Sequence, residues 1–93
     1  MVVGILSIKV VMRSSRSLKD KRRIIKSLKD RIRNKFNVSV SETDEQDNHK
    51  CSNIGVAMVG TDRQYVNSKL SSLINSFRLF PLIELVDYEL DLI

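Results

Sequence analysis

Twice within 93 residues the apolar side chains change rhythm from period two to a period near 3.6 and back, and few folds accommodate that order. In the first run Val2, Leu6, Ile8, Val10 and Met12 share one face and Ser7 and Lys9 the other, the pattern of a half-buried strand. Arg13 to Arg16 is a polar connection. From Leu18 the spacing lengthens: at about 100° per residue, Leu18, Ile24, Ile25, Leu28, Ile32 and Phe36 occupy about a third of a helical wheel, with Lys21 alone intruding in the first turn. Ser17, followed three residues later by Asp20, is a capping pair. Asn37 suits a helix end. Val38 to Glu42 returns to period two, Thr43 to Asn53 is polar and reads as a turn, and Ile54, Val56 and Met58 then alternate with Gly55, Ala57 and Val59. After Gly60, Thr61 and Asp62 offer caps for a second helix marked by Val66, Leu70, Leu73, Ile74 and Phe77, which Pro81 ends. Leu85 to Leu92 is a last strand, with Val86, Tyr88, Leu90 and Leu92 opposite Asp87, Glu89 and Asp91.

The order β-α-β-β-α-β predicts an α+β chain forming one domain over residues 1–93. Its four-stranded antiparallel sheet carries two helices on one face. The first and third strands are then central and the fourth pairs with the first, so Lys9 opposes Glu89 or Asp87 on the helix-free face. That face would also carry Val3, Ile5, Val11, Val59 and Leu85, an apolar patch suited to a homodimer or another protein contact.

A single cysteine, Cys51, excludes an internal disulfide, and no apolar run approaches the ~18 residues needed to span a bilayer. The stretch from Val2 to Met12 lacks the basic flank and small-residue cleavage site of a signal peptide. A reducing, cytoplasmic setting is the expectation, with no membrane partner. Charge is unevenly divided. Residues 1–36 hold twelve Lys and Arg against two acids, while residues 37–93 hold four against nine, so the two parts stand at +10 and −5.

Most of the positive charge lies on the first helix. Lys19, Arg22, Lys26, Lys29 and Arg33 fall on an arc of roughly 80° beside the apolar stripe, with Arg23 just beyond it. Basic residues on a solvated helix are ordinary, but here most lack an acidic neighbour at i+4 and repel one another. An external polyanion relieves that repulsion. The expected role is a binding domain, not an enzyme, docking on structured RNA or a ribosomal particle through Arg13, Arg16, Lys19, Arg22, Arg23, Lys26, Lys29 and Arg33. Stacking of bases on the sheet is not expected, because Val2 to Met12 and Ile54 to Val59 contain no aromatic residue.

Other chemistry finds little support. Glu42, Asp44, Glu45, Asp47, His49 and Cys51 offer oxygen, nitrogen and sulfur donors, yet no glycine supplies a calcium loop and one Cys with one His cannot close a zinc site. No cofactor, metal or small-molecule ligand is predicted. Glu42 and Asp44 are expected instead to run back beside Lys21, Arg22 and Arg23 and to pair with them. Arg13-Ser14-Ser15-Arg16 lies where phosphate-cradling loops occur in this topology, but it has no glycine to free its backbone amides.

The segment Arg16-Ser17-Leu18-Lys19-Asp20-Lys21-Arg22-Arg23 resembles the YlxP-like family of small bacterial proteins of unknown function. So do Arg33 to Val40, Glu42, Asp44, Gln46-Asp47 and Ile54-Gly55-Val56-Ala57, and the similarity spans essentially the whole chain. Two features depart from the family pattern: Ser41 stands for a small apolar residue, and Asn48-His49 for apolar or aromatic ones. The resemblance implies a ferredoxin-like fold and a cytoplasmic bacterial protein encoded near a ribosome-binding factor and translation initiation factor 2. It implies no known activity.

Overall fold

Ser17 and Asp62 set where the two helices begin. Ser17 Oγ accepts the Asp20 amide at 3.1 Å, and Asp62 Oδ2 accepts that of Tyr65 at 3.0 Å. The Asp20 carboxylate in turn accepts from the Arg16 amide at 3.0 Å, one residue farther out than the usual reciprocal box. The computed structural model describes residues 1–93. Strand β1 (Val2–Val11) leads to helix α1 (Leu18–Lys35), strands β2 (Ser39–Asp44) and β3 (Cys51–Gly60), helix α2 (Arg63–Leu79) and strand β4 (Glu84–Leu92). The strands form one antiparallel sheet in the order β2-β3-β1-β4, the predicted ferredoxin-like layout.

Alternation along β1 explains the layering. Leu6, Ile8 and Val10 are wholly buried, while Ile5, Ser7 and Lys9, which alternate with them, are exposed. Under the helices they meet Ile54 and Val56 of β3, Leu28 and Ile32 of α1, and Leu70, Leu73 and Phe77 of α2 in a single core. Two glycines let α2 approach closely. A Cβ on Gly4 would stand 2.5 Å from Leu70 Cδ1 and 2.6 Å from Val66 Cγ1, and one on Gly60 2.6 Å from Val66 Cγ2. No helix is long and apolar enough to cross a membrane.

Two expectations need correction. The turn is shorter than the polar stretch from Thr43 to Asn53, because β3 starts at Cys51 and only Glu45 to Lys50 lie between the strands. Ser52 joins the strand at no cost in unsatisfied groups: it is wholly buried, but its hydroxyl donates to the Glu42 carboxylate. In β4 the alternation breaks. Lys9 stands opposite Asp87, as expected, but the next residue, Val10, stands opposite Leu85, which leaves Val86 as a bulge, 53% exposed. Leu85 therefore packs against the core rather than on the helix-free face.

Candidate nucleic-acid interface

Lys21, the one charge inside the apolar stripe of α1, is 1% exposed. Its ammonium makes an ion pair with Glu42 Oε2 at 2.7 Å and donates to the carbonyl oxygens of Glu45 at 2.5 Å and Asn48 at 2.6 Å. All three donors are used. Glu42 is thereby committed inward, its carboxylate also accepting from Ser52. The predicted return of β2 toward the basic first turns of α1 is realised at this pair; Asp44 makes no ion pair.

With Glu42 neutralised, the groove between α1 and β2 is basic. Arg22, Lys26, Lys29 and Arg33 line it beside Ile25, Asp30 and Glu42, enclosing about 370 Å³. They follow one another at i, i+4, i+7 and i+11, so they form a row roughly 16 Å long at 1.5 Å per residue. Asp30 is matched by Lys26 at 3.2 Å, an exposed pair of small energetic weight. The Arg33 guanidinium donates to the Val40 carbonyl at 3.1 Å, which ties it to the start of β2. Arg22 and Lys29 have no acidic partner within 4 Å.

None of the remaining predicted residues joins this row. Lys19 and Arg23 are on α1 outside the groove, Arg23 exposed, and Arg16 is exposed just before the cap. Arg13 is elsewhere, in an ion pair of 2.7 Å with Glu84 at the start of β4. The hydrogen bond and charge of each raise the Arg13 pKa and lower that of Glu84. Ser15, between Arg13 and Arg16, is buried with its hydroxyl donating to the Ser17 carbonyl.

Asp44, Glu45, Asp47 and His49 line an open hollow together with Gln46 and Asn48, but no three His, Cys, Asp or Glu side chains converge as metal ligands. Phe77 and Phe80 are core residues, the latter lying 5.6 Å beneath the Arg31 guanidinium. The helix-free face of β1 and β3 carries no aromatic ring.

Sequence reasoning missed what lies at the C-terminal end of the row. Asn37, Val38, Ser39, Ala57 and Val59 border a second hollow there, joined to the groove by Arg33. No periodic signal marks it, since it depends on where β2 begins relative to β3.

Comparison with known proteins adds no activity. The model of a family described as protein of unknown function (DUF503) matches residues 3–90. The uncharacterized protein YlxP of Bacillus subtilis (strain 168) is 32% identical over 83 residues, which make up 89% of this chain and 90% of that protein. Among solved structures the de novo designed protein Foldit4 superposes with a TM-score of 0.55 at 14% identity. The match covers 100% of this chain and 97% of the design, a likeness of fold alone.

Proposed function

The chain belongs to the DUF503 family of proteins of unknown function, and from its geometry we propose a non-enzymatic domain that docks on structured RNA in the cytoplasm, ribosomal or translation-associated, through α1. One observation carries the reading. Arg22, Lys26, Lys29 and Arg33 line a single groove in which Glu42 is paired inward with Lys21 and only Asp30, loosely paired with Lys26, opposes the four cations. A row of roughly 16 Å presents four cations to the phosphates of one strand. Lys19, Arg23 and Arg16 extend the positive surface around it, and affinity comes from phosphates and shape rather than from stacking on the sheet.

Replacing Lys19, Arg22, Lys26 and Lys29 with Gln keeps helix propensity and removes the charge. The expected outcome is loss of association with RNA or ribosomal particles while the fold persists. For every phosphate no longer neutralised, the slope of log affinity against log salt flattens by roughly 0.7 to 0.9. Lys69 and Arg78 on α2 are the control pair. Equal weakening by both sets would make net charge, not the groove, the cause.

A second reading rests on the helix-free face, where Ile5 is 42% and Val59 63% exposed. A homodimer formed there would persist at high salt, whereas phosphate binding would not. Sedimentation across a salt series separates the two.

A further inference from the structure

Beyond Arg33 the groove continues into a hollow of about 550 Å³ bordered by Arg33, Asn37, Val38, Ser39, Ala57 and Val59, with Val40 completing its lining. It exists because β2 starts late. Ser39 stands opposite Ala57, so Met58, Val59 and Gly60 have β1 on one side and no strand on the other. Val59 stands on the helix-free face beside this open edge and is 63% exposed.

The hollow brings together what an unpaired base requires. Ala57 and Val59, on the helix-free face of β3, supply an apolar wall, and Val38, packed against the core, borders it. Arg33, whose guanidinium donates one hydrogen bond to the Val40 carbonyl, supplies a planar cation at its border. The Asn37 side chain makes no hydrogen bond to another protein group, and beside it the end of β3 has a strand edge with no strand partner. No acid lines the hollow, so nothing repels a phosphate that enters with the base. RNA is read chiefly at loops and bulges, where splayed bases stack on aromatic rings or on arginine planes.

Resting on the RNA reading of the α1 groove, we infer that this hollow receives a single unstacked nucleobase from a bulge or loop. Its flanking phosphates lie on Lys29 and Arg33. The base lies against Val59 and Ala57 with its hydrogen-bonding edge toward Asn37. This gives a protein without an aromatic platform a means of preferring irregular RNA over a regular duplex.

The test uses the full chain and three labelled RNA hairpins: one fully paired, one with a single-nucleotide bulge, and one whose bulged position is abasic. Fluorescence anisotropy should show the bulged hairpin bound about tenfold more tightly than either of the others, a difference of about 1.4 kcal/mol. Asn37→Ala with Val59→Ser should bring that ratio close to one, with circular dichroism confirming the fold. Equal binding of bulged and paired hairpins, an abasic bulge bound as tightly as the intact one, or a ratio unchanged in the double variant would each overturn the base site while leaving the phosphate groove standing. Absence of binding to all three would overturn both.

Discussion

A buried lysine is tolerated only when its charge is fully met, and Lys21 shows how sharply that condition constrains a small domain. Removing the ammonium leaves the Glu42 carboxylate and two carbonyls short of their donor. Lys21→Met is therefore expected to lower stability by about 3 kcal/mol, the lower part of the range for breaking a buried pair because Glu42 keeps 20% exposure. Urea denaturation of Lys21→Met, Glu42→Gln and the double variant checks this; the double should cost less than the two singles added. At the surface, the Arg13 hydrogen bond and charge hold Glu84 below its ordinary value. Its contribution is present above the unfolded glutamate pKa and is lost as pH falls through the lowered one, and exposure keeps it small. In an NMR titration the Glu84 side-chain carboxyl should change at lower pH in the native protein than in Arg13→Gln, and coincident curves would mean that the pair has no weight in solution. How far such details are legible differs by residue. Lys21 stood out in the sequence as a charge inside an apolar stripe, and topology pointed to Glu42. The carbonyls of Glu45 and Asn48 could not be read, because backbone acceptors leave no trace in residue type.

At the scale of elements, each helix is specified by its cap and by its apolar stripe, and the two can be tested separately. Ser17→Ala should cost about 1 kcal/mol, because the Asp20 amide then has no cap oxygen to donate to. Ile32→Ala, a truncation at a wholly buried position between α1 and the sheet, should cost about 2 to 5 kcal/mol. Thermal melts of the two variants should rank them in that order, and a neutral Ile32→Ala would contradict the packing described. Helices and central strands were legible because their periodicity is strong. The margins were not. Cys51, Ser52 and Asn53 look like turn residues until the Glu42 carboxylate gives the Ser52 hydroxyl a partner, and the alternation of Val86, Tyr88, Leu90 and Leu92 conceals the bulge that turns Leu85 inward.

For the whole molecule, the division of charge becomes a division of surfaces. The α1 side carries an open basic row, while Asp87, Glu89 and Asp91 follow β4 along the opposite edge of the sheet. On the RNA reading proposed above, the acids would limit indiscriminate adhesion to polyanions and the basic row would set orientation on approach. Because no complete ligand set is present, chelator treatment and the variants His49→Ala and Cys51→Ser should leave the melting temperature unchanged; a stoichiometric transition metal found by elemental analysis would refute this. The basic arc was readable from helical spacing alone. The hollow beyond it was not, since its borders come from three separate segments. The sheet order has a further consequence, one of time. β1 comes first in the chain yet lies inside the sheet, and Gly4 meets Leu92 while Val11 meets Cys51. Contacts so distant in sequence must close long loops before they return any stability, which slows folding. As the chain is synthesised, the strand made earliest waits for the one made last, and until residues 84–92 arrive its outer edge is an open template for any other extended chain.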